Sequence, residues 1–69
     1  MKKLIINVRS TGKKSGEFLD NKIFGLEMPD TFTLENDNAF DEVFKNLFAD
    51  YGEFFPEDVN AEIVDWYFD

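Results

Sequence analysis

Residues 3–9 are rich in apolar and β-branched side chains, and this pattern predicts a β-strand. Leu4, Ile6 and Val8 fall on one face of an extended segment covering Lys3–Arg9. The next segment, Ser10–Gly16, holds glycine, serine, threonine and lysine but no apolar side chain, which is typical of a loop. The chain is therefore expected to begin with a strand followed by a polar loop.

Two further short strands are predicted after this loop. The apolar segments are Glu17–Leu19 and Lys22–Met28. Asp20 and Asn21 between them suit a tight hairpin turn, because both residue types tolerate positive φ. Gly25 interrupts the later strand and indicates a bulge. The N-terminal part of the chain therefore predicts a small antiparallel sheet of about three strands.

The clearest element is an amphipathic helix over Asn38–Tyr51. Its apolar residues form one continuous stripe on a 3.6-residue period: Ala39, Phe40, Val43, Phe44, Leu47, Phe48 and Tyr51. Asn36, Asp37 or Asn38 can cap its first turn. Gly52 is expected to terminate it.

Two segments allow alternative predictions. Residues 31–34 are either a brief edge strand or a connection. The segment that starts at Pro56 is favoured as a second helix, with Val59, Ile63 and Trp66 at i, i+4 and i+7. Against a helix, the last eight residues are rich in β-formers. On a strand, a different set would alternate: Val64, Trp66 and Phe68.

These elements predict an α+β fold, in which a small antiparallel sheet packs against two α-helices within a single domain, residues 1–69. A chain of 69 residues buries roughly 60% of its unfolded surface. The absence of cysteine excludes disulfides, zinc–cysteine sites and thiol nucleophiles, and the absence of histidine removes the commonest general base. Twelve aromatic rings are expected to supply much of the core.

Charge is distributed very unevenly along the chain. Five basic residues and no acid lie in the segment that ends at Lys14, whereas all 15 acids and only two basic residues follow it. No basic residue follows Lys45. The net charge is −8. Such a surface repels nucleic acid and membrane headgroups and attracts proteins that carry a basic surface.

On the favoured helix, four C-terminal acids would fall at i, i+4, i+7 and i+11 and form one acidic ridge: Asp58, Glu62, Asp65 and Asp69. Successive carboxylates would lie roughly 4.5–6 Å apart along the axis. Phosphates on one nucleic-acid strand have a comparable spacing. We therefore expect the ridge to imitate a nucleic-acid backbone, with Glu57 and Asp50 adding to the partner-binding surface. The alternative is that these acids are simply solvated.

Aromatic residues are predicted to supply the apolar part of this binding surface. Phe54 and Phe55 lie between the two predicted helices, and one of them is expected to stay accessible as an interface anchor. Trp66, Tyr67 and Phe68 crowd the C-terminus, where most rings are expected in the core and Phe68 is expected to be accessible. An inhibitor needs such anchors because exposed ion pairs are weak.

The basic loop around Lys13 and Lys14 superficially resembles a phosphate-binding loop. The match fails because Lys14 stands where Ser or Thr should follow Gly12-Lys13, and Asn7 stands where the leading glycine belongs. We expect the loop to be solvated or to complement the acidic face of the same chain.

The sequence predicts no enzyme, no cofactor and no metal site. Four acids are potential oxygen ligands: Glu35, Asp37, Asp41 and Glu42. Ala39 and Phe40 break the alternate-position pattern of a calcium loop. Paired carboxylates can perform acid–base chemistry, but a domain this small is not expected to hold the cleft that would tune them.

In size, acidity and aromatic content, the whole chain resembles the small inhibitors that phages and mobile elements use against host defences, including antirestriction, anti-CRISPR and uracil-DNA glycosylase inhibitors. The resemblance implies a DNA-mimicking phage protein whose target is a host nucleic-acid enzyme, blocked by occupation of its substrate groove. The charge and aromatic patterns predict which residues bind the partner: Asp50, Phe54, Phe55, Glu57, Asp58, Glu62, Asp65 and Asp69.

Two alternatives remain open at this stage. One is an antitoxin or immunity protein against a basic nuclease, and the other is a structural or assembly module with an acidic solubilising surface. In each case we expect a protein partner, no direct nucleic-acid binding, no membrane and a monomer or homodimer. No apolar run is long enough for a membrane span, so retention in the cytoplasm is expected, the host cytoplasm for a phage-encoded protein.

Overall fold

The computed structural model describes residues 1–35 and 37–69. Its elements follow in chain order: β1 (Lys2–Gly12), β2 (Phe18–Met28), α1 (Asp37–Tyr51), a 3₁₀-helix (Gly52–Phe54) and β3 (Val59–Phe68). The three strands form one antiparallel sheet in the order β2-β1-β3. The α+β prediction is confirmed, but the described residues contain one α-helix, so the predicted second α-helix is wrong.

The hairpin between β1 and β2 is longer than predicted. β1 continues through the polar residues Ser10–Gly12, so the first residues of β2 also pair with β1. Asp20 therefore pairs with Ser10 and Asn21 with Arg9, and neither acid nor amide has a positive φ. The predicted turn at Asp20 and Asn21 is wrong, and a single strand replaces the two short ones.

The true turn lies within the segment that the sequence predicted as a loop. Gly16 adopts a φ of 69°, a conformation that favours glycine. Its N–H donates to the Gly12 carbonyl at 2.8 Å, and the Gly12 N–H donates to the Glu17 carbonyl at 2.9 Å. The register then shifts beside Leu19. Gly25 pairs regularly with Ile5, so the bulge predicted at Gly25 is wrong.

The core lies between α1 and the sheet face that carries the even-numbered residues of β1. We call this the inner face and the opposite side the outer face. The helix buries Ala39, Val43 and Leu47, which confirms the predicted amphipathic stripe. The sheet contributes two rows of buried side chains: Leu4, Ile6 and Val8 from β1, and Phe24, Leu26 and Met28 from β2.

The helix begins at Asp37, and the capping candidate Asn36 lies outside the described residues. The helix ends at Tyr51, directly before Gly52, which confirms its predicted end. Gly52 has no positive φ and opens the 3₁₀-helix, so it does not form the left-handed cap expected of a glycine at this position. Among described residues, the helix comes within 8 Å of β2 between Cα atoms but not of β3. Tyr51 fixes this position by donating from its hydroxyl to the Gly25 carbonyl at 3.2 Å.

Residues 31–34 form a connection and not an edge strand. The first of these was one of the two alternatives predicted from the sequence. β2 ends at Met28 directly before Pro29. The Phe32 N–H donates to the Pro29 carbonyl at 2.9 Å, which closes a turn. Phe32 and Leu34 pack against the core, so this connection covers one margin of the apolar layer.

The predicted C-terminal helix is strand β3, paired antiparallel with β1. The pairing holds Val8 opposite Ile63 and Asn7 opposite Asp65, so Val64 is an extra residue and β3 contains a bulge. The bulge shifts the alternation by one. Five residues of β3 consequently lie on the inner face, two positions apart except across the bulge, where the spacing is three: Val59, Ala61, Ile63, Trp66 and Phe68. Three of those positions, 59, 63 and 66, have the i, i+4, i+7 spacing of a helix.

Candidate protein-docking surface

The helical acidic ridge does not exist. Asp58 precedes β3, Glu62 and Asp65 lie within it, and Asp69 follows it. A ten-residue strand is about 33 Å long at roughly 3.3 Å per residue, so Asp58 and Asp69 lie near opposite ends of the sheet. The structure therefore separates acids that the helical prediction placed side by side.

The bulge nevertheless keeps the acids of β3 on one side of the sheet. Glu62 faces Arg9 and Asp65 faces Asn7, and both β1 residues belong to the outer face. The Asp69 N–H donates to the Lys3 carbonyl at 2.9 Å, which continues the same pairing. In an unbroken strand, residues 62 and 65 would point to opposite faces. The outer face therefore carries a row of three acids along β3, at strand spacing.

Two of these acids are already engaged within the chain. The Arg9 guanidinium donates to the Glu62 carboxylate at 2.5 Å. Asp65 accepts the backbone N–H of Trp66 through Oδ1 at 2.9 Å. Complementarity between the basic N-terminal part and the acidic face, one of the expectations for the basic residues, is thus present at Arg9. Lys13 and Lys14 are exposed, as expected for a solvated turn.

A second group of acids surrounds the junction between α1 and β3. We call residues 50–58 the acidic connection. Its four acids are all exposed: Asp50, Glu53, Glu57 and Asp58. The salt bridges among described residues involve Asp20, Asp30 and Glu62, so none of these four carboxylates is paired. The acidic connection is the longest stretch of predicted site residues that the fold keeps together.

The aromatic residues of the acidic connection divide between core and surface. Phe54 keeps 43% of its surface exposed, and its ring meets Phe24 edge-on with centroids 5.8 Å apart. Phe55 is half-buried and contacts the rings of Phe24 and Phe48 at centroid distances of 5.6 Å. One accessible ring of this pair was expected, and Phe54 is the more exposed. Phe55 packs against the core and thereby holds the acidic connection in place.

A small hollow opens beside Phe54 on the inner face. Its volume is about 120 Å³, below the roughly 300 Å³ at which small-molecule and cofactor pockets begin. Its walls come from all three strands and the acidic connection: Ser10, Leu19, Asp20, Lys22, Phe24, Phe54, Phe55 and Val59. Such a hollow suits one apolar side chain of a partner, within reach of the unpaired carboxylates.

Three further aromatic residues lie at the other end of β3. Trp66 and Phe68 form an edge-to-face pair with centroids 5.6 Å apart on the inner face. Phe68 is half-buried, and the Lys2 ammonium lies 4.1 Å from its ring centroid. Trp66 and Tyr67 are more exposed, at 37% and 57%. Phe68 was predicted to be the accessible ring of this group, but Trp66 and Tyr67 are more exposed than Phe68.

A second, shallower hollow lies on the outer face, with a volume of about 90 Å³. Ile5, Ile23 and Tyr67 form its apolar walls. Asn7 and Asp65 complete it, and the Asn7 Oδ1 atom is buried without a hydrogen-bond partner among the described residues. Ile23 is 71% exposed, so this face of the sheet carries apolar surface that no helix covers.

Sequence reasoning missed the residues that β2 contributes to these surfaces. Leu19 and Lys22 line the inner hollow because β2 is one continuous strand, whereas the prediction placed a turn between them. No local pattern signals this continuity, because Asp20, Asn21 and Lys22 are three consecutive polar residues within the strand. Treating residues 18–28 as one strand would have brought Leu19 beside Phe54.

The acidic side chains of the described residues do not form a metal-binding cluster. No group of three or more acidic side chains among them is arranged to hold a metal ion. The helix acids Asp37, Asp41 and Glu42 are exposed on the polar side of α1. The candidate docking surface consists of the acidic connection, the inner hollow and β3.

In the described part of the chain, no helix has the length and apolarity needed to cross a membrane. Comparison of the chain with known protein families, curated proteins and solved structures finds no significant match.

Proposed function

We propose that this chain is a non-enzymatic inhibitor that covers the basic nucleic-acid-binding surface of a protein in the cytoplasm, such as a host defence or nucleic-acid enzyme. It binds that protein directly and binds neither nucleic acid nor a membrane. An antitoxin or immunity protein against a basic nuclease would use the same surface in the same way. Inhibition is steric, because the bound domain occupies the place of the nucleic acid.

The observation that supports this proposal most directly is the acidic connection. Four exposed carboxylates lie within nine residues, none is paired with a described cation, and Phe54 stands among them beside a hollow. A surface with unpaired charge of one sign accelerates encounter with a surface of the opposite sign. The net charge of −8 extends this attraction beyond the contact itself.

Charge alone does not explain a stable complex. Exposed ion pairs contribute about 0–1 kcal/mol each, so affinity requires an apolar anchor that excludes water. The inner hollow supplies a receptor for one partner side chain, and Phe54 supplies a ring that can pack on the partner. Acids around an apolar centre reproduce the usual division of an interface into core and rim.

The acids of β3 add a second anionic strip in this proposal. Asp65 and Asp69 lie on the outer face with Glu62, although Arg9 offsets the charge of Glu62. The imitation of a nucleic acid rests here on unpaired charge around an apolar anchor. The regular spacing of a helical ridge no longer supports it.

The test begins with capture of a partner from the native cytoplasm at low ionic strength. The captured protein is purified, and its Kd for the chain is measured over a salt series, with duplex DNA as a competitor. We expect the Kd to rise steeply with salt and DNA to displace the chain. An affinity that is indifferent to both would contradict the proposal.

A matched pair of variants locates the surface. Glu53→Lys with Glu57→Lys reverses two acids of the acidic connection, and Glu27→Lys with Glu35→Lys makes the same change in net charge elsewhere. The first variant is expected to weaken the complex at least about tenfold, or ~1.4 kcal/mol. The control is expected to lose much less. Equal losses would show that only the net charge matters.

A structural or assembly module is the second candidate, and one observation favours it. β3 lies at the edge of the sheet, and Val64 and Tyr67 on it are 46% and 57% exposed. A module of this kind would associate through the strand edge and apolar side chains. Its binding would change little with salt, which distinguishes it from the inhibitor.

A further inference from the structure

β3 is an edge strand, and no other strand of the described residues pairs with its far side. Two N–H groups on that side already have local partners, since Val59 donates to the Pro56 carbonyl at 3.0 Å and Trp66 donates to the Asp65 carboxylate. Backbone groups of consecutive strand residues point alternately to the two neighbours. Asp69 donates to Lys3 and Lys13 donates to Asp58, both at 2.9 Å, so the odd-numbered residues of β1 face β3. The β3 residues opposite these positions direct their backbone N–H and C=O groups toward β1. The β3 residues between them direct these groups toward solvent. Ala61, Trp66 and Phe68 therefore direct their backbone groups away from the sheet.

The opposite edge of the sheet lies beside the helix, because α1 comes within 8 Å of β2 between Cα atoms. On β2, Asp20 accepts the Asn21 N–H at 2.8 Å, and Tyr51 donates to the Gly25 carbonyl. On β3, Asp65 accepts the Trp66 N–H in the same manner as Asp20, but no residue of α1 approaches the strand within 8 Å between Cα atoms. An unpaired edge of this kind is a template for another strand.

The negative charge of β3 determines which kind of strand can pair with its free edge. The strand and its flanks carry acids without a single base: Asp58, Glu62, Asp65 and Asp69. A second copy of the chain would bring acid against acid across the edge, which is unfavourable. A strand with Lys or Arg at alternate positions would place its cations beside the outer-face acids.

The inner face of the same edge can also accept a cation or an apolar residue. The Phe68 ring already holds the Lys2 ammonium 4.1 Å from its centroid. Trp66 packs against Phe68 through an edge contact and stays 37% exposed. Its ring is therefore available to a side chain of an added strand.

We propose that β3 receives an extended basic segment of the partner as a fourth strand, by β-augmentation. The proposal rests on the proposed function and specifies the form of the partner. Backbone hydrogen bonds supply the pairing, and alternate basic side chains supply the register. Asp65 must release the Trp66 N–H when the new strand pairs there, so this carboxylate becomes free to bind a cation.

A peptide of alternating Lys and Thr, matched to the ten residues of β3, tests the inference. Trp66 is the sole tryptophan and reports on the edge by fluorescence. At low ionic strength we expect its emission to change on titration. Amide NMR signals should shift mainly in β3, and hydrogen exchange should slow at Ala61 and Phe68. Absence of peptide binding would overturn the inference.

Two controls separate strand pairing from simple charge attraction. The same peptide methylated at every backbone nitrogen keeps its charge but cannot pair, and we expect it to bind at least tenfold more weakly. Ala61→Pro removes an N–H from the free edge without removing a hydrogen bond to β1, and we expect it to weaken the unmodified peptide similarly. Equal binding of both peptides would overturn the inference.

The outcome also distinguishes failure here from failure of the proposed function. If the peptide shifts signals in the acidic connection and not in β3, the edge is not the docking site, although attraction to basic segments stands. If the captured partner binds the Ala61→Pro variant unchanged but loses the Glu53→Lys, Glu57→Lys variant, the inhibitor proposal stands and the strand pairing fails.

Discussion

Arg9 on the central strand and Glu62 on β3 face each other and form an ion pair on the outer face of the sheet. The pair joins the basic N-terminal part of the chain to the acidic C-terminal part. It also neutralises one acid of the predicted ridge. The uneven charge distribution along the sequence is thus partly compensated in space by antiparallel pairing, whereas the four carboxylates of the acidic connection have no salt-bridge partner among the described residues.

Reversing Glu62 tests this pairing. Glu62→Lys places two cations opposite each other on adjacent strands, and we expect a loss of about 0.5–1 kcal/mol in the free energy of unfolding, measured in urea at low salt. Both side chains are about half exposed, so the effect should shrink as salt rises. Adding Arg9→Glu should restore most of the stability. An additive loss in the double variant would contradict the pairing.

Deletion of single residues tests the bulge. Removing Val64 leaves a regular ladder with the same inner and outer residues, so we expect a change of less than about 1 kcal/mol in urea unfolding. Removing Ala61 instead forces either Asn60 inward or the acids of β3 inward. We expect that deletion to cost more than about 2 kcal/mol. The opposite order of stability would show that the bulge is misplaced.

The bulge also explains how far the fold could be predicted from the sequence. α1 was recognisable because Ala39, Val43 and Leu47 all belong to one helical stripe. β1 was recognisable because its apolar, β-branched segment places every second side chain on one face. β3 carries neither pattern cleanly. Its inner residues change phase at the bulge, so that Val59, Ile63 and Trp66 imitate a helix. A local pattern cannot reveal an extra residue whose position is fixed by pairing with a distant strand.

The candidate site was predictable only where it is local in the chain. Asp50, Phe54 and Glu57 fall within one short connection, so any fold that exposes the connection keeps them together. Leu19 and Lys22 reach the same hollow through the hairpin, which depends on tertiary pairing. The open edge of β3 is a property of strand order, and strand order is absent from sequence periodicity.

Adjacent helix residues provide a matched test of the core. Leu47 is fully buried and Phe48 is 46% exposed. Leu47→Ala is expected to cost about 2–5 kcal/mol. A domain of this size has only about 3–5 kcal/mol in its core, so this variant should be largely unfolded by circular dichroism. Phe48→Ala removes ring contacts with Phe44 and Phe55 and should cost about 1 kcal/mol. A comparable loss for both would contradict the orientation of α1.

The two tyrosines provide a matched test of the link between helix and sheet. Tyr51→Phe removes the hydrogen bond to the Gly25 carbonyl and should lower the free energy of unfolding by about 0.5–1.5 kcal/mol. Tyr67→Phe removes a hydroxyl that has no hydrogen bond with another described residue, and should leave stability unchanged in the same urea titration. Equal effects would argue against the anchoring role of Tyr51.

The proposed docking surface depends above all on Val59–Phe68 forming a strand against β1, and NMR measures this pairing directly. Close contacts between Hα protons are expected for Leu4 with Phe68 and for Ile6 with Trp66, because these pairs face each other without exchanging hydrogen bonds. Their detection would establish the acid-bearing strand and its open edge. Strong sequential amide–amide contacts over residues 58–69, without the cross-strand pairs, would show a helix and would contradict the account.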